Sequence, residues 1–152
     1  MNQLKQLFLA AFVATLTATV SYSVLAQTAM TSEAGDQVFQ HFGGKAGISK
    51  VIDDFLVIWQ ADPRISQRLA DADVERLGSL LKEQITQLTG GPAVYSGKDM
   101  QSAHAKMGLR NVDFNALAED LQLSMEKNGI ASRDQNRLLA MLAPMQKQIV
   151  TK

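Results

Sequence analysis

Apolar side chains recur at every third or fourth position along most of this sequence, in blocks separated by glycine or proline. Such spacing places the apolar side chains on one face of an α-helix, so each block predicts an amphipathic helix. No segment of useful length alternates with the two-residue period of a strand. The sequence therefore predicts an all-α fold whose longer helices cover residues 45–60, 73–89, 111–128 and 132–149.

Polar residues and one proline indicate where these helices begin and break. Asp71 or Asp73 can cap the second long helix, and Asn111 can cap the third, because their side chains accept hydrogen bonds from free backbone N–H groups. Ser132 opens a capping-box spacing at the start of the last helix. Pro144 is expected to bend or break that helix, since proline lacks an N–H donor.

The first residues have the pattern of an export signal rather than of a folded segment. Lys5 precedes an apolar stretch, and small residues up to Ala26 form a signal-peptidase site. We therefore expect a secretory signal over 1–26, a flexible leader over 27–36 and one domain over 37–150. The predicted location is the periplasm, with no stable membrane insertion after cleavage. An uncleaved N-terminal anchor is the alternative.

Composition excludes several classes of function. The chain has no cysteine, which excludes disulfides, thiolate metal sites, iron–sulfur clusters and thioether attachment of a cofactor. Its 15 basic and 15 acidic residues balance, and no basic block is present. A balanced chain of this kind argues against nucleic acid as a partner.

Two histidines, His41 and His104, are the candidates for metal chemistry. His41 lies at the end of a short predicted helix, where a surface histidine is expected. His104 has Met100 four residues before it, Met107 three residues after it, and alanines on both sides. A neutral imidazole in such surroundings suits axial ligation of haem iron. On the residues alone, however, a histidine buried in the core is the preferred interpretation.

The order of motifs along the chain adds a resemblance to a known family. From about residue 36 to 149, the chain resembles the truncated haemoglobins of group I. The matching motifs are Phe-Gly43-Gly44-Lys-Ala-Gly-Ile, Asp54-Phe55, Ala-Asp62-Pro63-Arg64-Ile, Gly90-Gly91-Pro92, Tyr95-Ser-Gly97, Met100-x-x-x-His104-x-x-x-Gly108 and Asp113-Phe114.

This resemblance implies a two-over-two helical sandwich around one b-type haem, with His104 as the iron ligand. It implies that the following residues line the side of the ring that carries the histidine: Met100, Ala103, Met107, Leu109, Phe114 and Leu117. It places around the rest of the ring Phe55, Leu56, Leu69, Val74, Leu77, Leu81, Gln84 and Tyr95.

The opposite, distal side departs from the family's usual pattern. Leu56 stands where many members carry a tyrosine that hydrogen-bonds oxygen, and Leu81 stands where glutamine is frequent. Leu69 replaces a phenylalanine that commonly stacks on the ring. Gln84 is the nearest polar candidate, with an exposed glutamine as the alternative, and Lys82 is expected to face solvent. The loss of a donor predicts weak retention of oxygen.

The sequence thus predicts reversible binding of a diatomic gas, which could be oxygen, nitric oxide or carbon monoxide. Turnover of nitric oxide to nitrate would also need a reductant, which the sequence does not identify. The alternatives are a haem enzyme of nitric oxide dioxygenase or peroxidase type, a module that stores or senses haem, and an interaction protein without cofactor. Peroxidase chemistry would need a distal acid–base group, and none is evident.

Overall fold

A computed structural model describes residues 37–152, and within them every regular element is a helix. Residues 1–36 lie outside the described residues, so the signal and the leader stay predictions. No described helix is both long and apolar enough to cross a membrane. The elements are α1 (helical residues 37–41), α2 (Gly44–Ala61), a 3₁₀ helix (Ser66–Leu69), α3 (Val74–Leu88), α4 (Met100–His104), α5 (Asn111–Lys127), α6 (Ser132–Leu142), a second 3₁₀ helix (Ala143–Met145) and α7 (Gln146–Ile149).

Helix α2 lies at the centre of the fold and packs against both α3 and α5. Its apolar face is fully buried through Ile48, Val51, Ile52 and Phe55, as the helical spacing predicts. The Ser124 hydroxyl of α5 donates a buried hydrogen bond of 2.6 Å to the carbonyl oxygen of Val51. With α6 packed on α5 and α3, the helices form the expected two-over-two sandwich.

The predicted cap of α3 is confirmed, but that of α5 is wrong. The Asp73 carboxylate accepts a 2.9 Å hydrogen bond from the N–H of Arg76, three residues into α3. Asn111 is instead the first helical residue of α5. The carboxylate of Asp113 reaches back and accepts the Arg110 N–H at 2.9 Å. An acid inside the first turn therefore satisfies the donor that precedes the helix.

The last long helix also begins differently from the prediction and breaks where expected. Ser132 is the first helical residue of α6 and not its cap, which is Ala131. The Gln135 side chain donates a 2.7 Å hydrogen bond to the carbonyl of Ile130, in the loop before the helix. It therefore does not form the predicted capping box. Pro144 lies inside the 3₁₀ turn between α6 and α7, which confirms the predicted break.

Candidate functional site

A cavity of about 740 Å³ opens between α2, α3, α4, α5 and the C-terminal helices. Its volume is within the range of roughly 300–1,000 Å³ that small-molecule sites occupy, and its lining is mainly apolar. Most of the residues predicted for the site lie in this cavity wall. They are Phe55, Leu69, Leu77, Leu81, Gln84, Tyr95, Met100, Ala103, His104, Met107, Phe114 and Leu117.

Three predicted residues, Leu56, Val74 and Leu109, lie outside the cavity wall. Leu56 is buried in the core against α3, where a Cβ added to Gly78 would lie 3.0 Å from its Cδ1. Val74 packs against the same core at the start of α3. Leu109 is buried after α4. Contact of these three side chains with a cofactor stays a prediction, and the structure does not bring them to the cavity.

His104 is the last residue of α4 and lies half-buried in the cavity wall. Its Nδ1 is 2.8 Å from the carbonyl oxygen of Met100, one helical turn earlier. A carbonyl can only accept a hydrogen bond, so Nδ1 carries the proton in this arrangement. The Nε2 lone pair is then left to bind a metal, and the hydrogen bond at Nδ1 fixes the tautomer and orients the ring.

The other histidine, His41, lies outside the cavity wall. Its side chain is 39% exposed, and its Nδ1 is 3.1 Å from the buried carboxylate of Asp134 on α6. The predicted position at the end of the first helix is confirmed. No sequence pattern indicates the contact with Asp134, because the two residues are far apart along the chain.

Leucines of α3 and two aromatic residues of α2 form an apolar part of the cavity wall. Leu77, Leu80 and Leu81 contribute the α3 part of the wall. Trp59 was missed by the sequence analysis as a wall residue; its indole N–H donates to the carbonyl of Ile65 at 3.1 Å. Its ring lies 5.7 Å from that of Phe55, measured between centroids. This part of the wall is therefore apolar and well ordered by packing.

Gln84 lies in the cavity wall, half-buried, so the alternative of an exposed glutamine is wrong. Its Nε2 is 3.5 Å from the sulfur of Met100 and 3.8 Å from that of Met145. A thioether is a weak acceptor, so these contacts satisfy the amide poorly. Gln84 thus brings a hydrogen-bond donor into a largely apolar cavity, on the side next to α4.

Three basic residues in the wall, Arg68, Arg76 and Lys98, were missed by the sequence analysis. Arg68 is held by contacts of 3.3 Å to the carbonyl of Met107 and to the carboxylate of Asp113. Their place in the sequence could have indicated them, because each of the three is one or two residues from a predicted wall residue. Together they make the cavity suitable for a ligand that carries carboxylates.

The connection between α3 and α4 passes along the cavity and is tied to α3 by two acceptors. The Glu83 carboxylate accepts from the Ser96 N–H at 2.9 Å and from its hydroxyl at 2.7 Å. The Gln87 side chain accepts the Tyr95 N–H at 2.6 Å. The two bonds from Ser96 hold the pKa of Glu83 below its usual value. Burial and the nearby carboxylate of Asp99 raise the pKa of Tyr95.

We expect Glu83→Ala to reduce the loss of stability on acidification. A lowered pKa in the folded state means that Glu83 stabilises the fold at pH values above the pKa that it has in the unfolded chain. That contribution disappears as pH falls through the folded pKa, and the alanine variant never has it. Urea unfolding at pH 7 and pH 3 measures the difference, with Glu75→Ala on the same helix as control. Equal pH dependence of both variants and the parent would contradict the prediction.

Comparison with known proteins finds similarity over this whole described unit. Residues 37–151 match the family model of the bacterial-like globins. A group 1 truncated haemoglobin of Tetrahymena thermophila is 30% identical over 96 residues, which is 63% of this chain and 79% of the relative. That of Tetrahymena pyriformis is 25% identical over 115 residues, covering 76% of this chain and 95% of the relative.

Solved structures give the same result for the fold. The Fe(III) form of the Tetrahymena pyriformis truncated haemoglobin superposes with a TM-score of 0.73 at 25% identity, covering 76% of this chain and 98% of the other. The 2/2 haemoglobin of Synechococcus sp. PCC 7002, in the cyanomet state and with covalently attached haem, gives 0.70 at 21% identity, with the same coverage. At that identity the second match shows the fold alone.

Proposed function

Because the chain belongs to the bacterial-like globin family, among the group 1 truncated haemoglobins, we propose that it binds one haem through His104 and binds a diatomic gas reversibly. The observation that carries this proposal is the hydrogen bond from His104 Nδ1 to the Met100 carbonyl. It leaves Nε2 as the basic nitrogen, on a residue of the cavity wall.

The residues of the cavity fit a haem in size and chemistry. The macrocycle is flat and apolar, and the wall offers it apolar surface from α2, α3 and α5. His104 is the wall's histidine among residues 37–152, which supports it as the iron ligand. Bound haem would supply an iron atom with a position open to a gas. Because the sequence has no cysteine, attachment through thioether bonds is excluded, which supports the b type.

The basic residues of the wall would hold the two carboxylate arms of the haem. Arg68, Arg76 and Lys98 come from three separate elements, the first 3₁₀ helix, α3 and the connection before α4. A charge-assisted hydrogen bond is stronger than a neutral one, so these cations would orient the ring within the cavity. The Arg68 guanidinium already donates to Met107 and Asp113, so Arg76 and Lys98 are the better candidates to bind the haem carboxylates.

The distal part of the wall supports gas binding rather than cleavage of an oxygen–oxygen bond. Leu77, Leu80 and Leu81 face the cavity from α3. Within the described residues the wall includes no carboxylate, and its only histidine is His104. A peroxidase would need a second acid–base group on the distal side. We propose oxygen, nitric oxide and carbon monoxide as ligands, with rapid release of oxygen.

The absorption spectrum of the purified protein, recorded before and after addition of haemin, tests this proposal. We expect a Soret band, a pyridine haemochrome of the b type, and a shifted band when carbon monoxide is added to the reduced protein. Myoglobin serves as the positive control and the same protein unfolded in guanidinium as the negative one. If no Soret band forms with added haemin, the interaction-protein alternative replaces the haem proposal.

A further inference from the structure

We propose that the C-terminal strap, defined as residues 146–152, positions the His104 imidazole by holding the backbone that follows α4. This inference rests on the proposed function, since it concerns how the iron ligand is held. The strap consists of α7 (Gln146–Ile149) and the three residues after it. His104 would bind the proposed iron directly, whereas the strap acts on the imidazole through the backbone that follows α4.

Helix α4 cannot fix its own position. It has only five residues, and none of them is buried. A helix of that length is unstable alone, so its place depends on what packs against it. The element that packs most extensively on α4 is α7. The hydrogen bond to Met100 orients the ring within α4, and the C-terminal strap sets the place of α4 itself.

Backbone hydrogen bonds join the strap to the residues just after His104. The carbonyl oxygen of Leu109 accepts the N–H of Thr151 at 2.9 Å and the N–H of Lys152 at 3.1 Å. Both lone pairs of a buried carbonyl are thus satisfied by the strap. These bonds are made by backbone N–H groups, so they do not depend on which side chains stand at 151 and 152.

Gly108 turns the backbone just before the Leu109 carbonyl that the strap contacts. It has a φ of +58°, a conformation that favours glycine. A Cβ at this position would lie 3.1 Å from the Lys152 Cε, so the flexible side chain of Lys152 lies beside Gly108. At the other end of the strap, Gln146 donates a 3.0 Å hydrogen bond to the Asn111 side chain at the start of α5.

The strap also reaches the cavity, which links its position to the cofactor. Ile149 of the strap is a wall residue, as is Met145 just before it. Arg68 of the first 3₁₀ helix also holds this backbone, by donating to the carbonyl of Met107. Among the described residues, only the strap donates to the Leu109 carbonyl.

Proline at position 151 removes one of these bonds without removing the segment. Thr151→Pro loses the N–H donor, and Val150 already has an extended conformation, with φ −79° and ψ 120°, that a following proline accepts. Thr151→Ala is the matched control, because it shortens the same exposed side chain and keeps the N–H. Deletion of Thr151 and Lys152 removes both donors to Leu109.

We expect haem loss to apomyoglobin to be about threefold faster in Thr151→Pro and up to about tenfold faster in the deletion, and unchanged in Thr151→Ala. The resonance Raman band of the iron–histidine bond should shift or broaden in the same order. A purely structural role would leave that band unchanged, so an unaltered band in both the proline variant and the deletion would overturn the proposal.

Amide hydrogen exchange in the haem-free protein separates this inference from the proposed function. Exchange of the amides from His104 to Leu109 should be faster in the deletion than in Thr151→Ala, whether or not haem binds. Absence of a Soret band in the parent protein would defeat the haem proposal while leaving this measurement intact. Equal exchange in the deletion and the control would show that the strap does not hold this segment.

Discussion

Replacing His104 with alanine is expected to abolish the histidine-ligated haem spectrum. The Nε2 of His104 is the basic nitrogen that the cavity wall offers to iron, since Nδ1 donates to Met100. Loss of groups that merely orient a metal ligand costs about 10–100-fold in affinity, so loss of the ligand itself should exceed a hundredfold. Haem transfer to apomyoglobin and the Soret spectrum of the ferrous protein measure the effect.

Two controls make this result specific to the proposed ligand. His41→Ala removes the other histidine, which lies outside the cavity wall and contacts Asp134, so its spectrum should match that of the parent protein. Added imidazole should restore a nitrogen-ligated spectrum in the His104 variant, because the cavity gains the space of the deleted ring. An unchanged spectrum in His104→Ala would assign the iron to another ligand.

Periodicity was sufficient to predict the helices because their burial is regular. The interval predicted as 45–60 is helical over Gly44–Ala61, and its apolar stripe is the buried face. The break at Pro144 and the cap at Asp73 follow from single residues whose chemistry acts locally. Asn111 and Ser132 were misassigned as caps because each lies one residue after the actual cap. At that distance the sequence does not show which residue the first helical N–H groups bond to.

The candidate site could be predicted only in part, because its wall combines residues distant in sequence. His104 and its neighbours follow from one short motif, and the structure places them together. Trp59 and Ile149 have no local signal for the site and reach the cavity through packing of separate helices. Leu56 was predicted for the site, but it faces the small Gly78, and its side chain packs in the core.

Leu81→Gln is expected to slow oxygen dissociation about ten- to a hundredfold, which is the range for a hydrogen bond to a charged group. Leu81 lies in the cavity wall on α3, at a position that the resemblance to the truncated haemoglobins assigns to the distal side. Bound oxygen carries partial negative charge, and an amide donor in a dry cavity would stabilise it. Carbon monoxide depends less on such a bond, so its dissociation should change by a much smaller factor.

Lys82→Gln is the matched control, because it introduces the same side chain one residue further along α3. Lys82 lies outside the cavity wall, and its ammonium group is 2.7 Å from the Asp53 carboxylate. Oxygen dissociation in that variant should equal that of the parent. Stopped-flow displacement of oxygen by carbon monoxide measures all three proteins. If Leu81→Gln releases oxygen as fast as Lys82→Gln, then position 81 does not face the ligand, and the fast release proposed here has another cause.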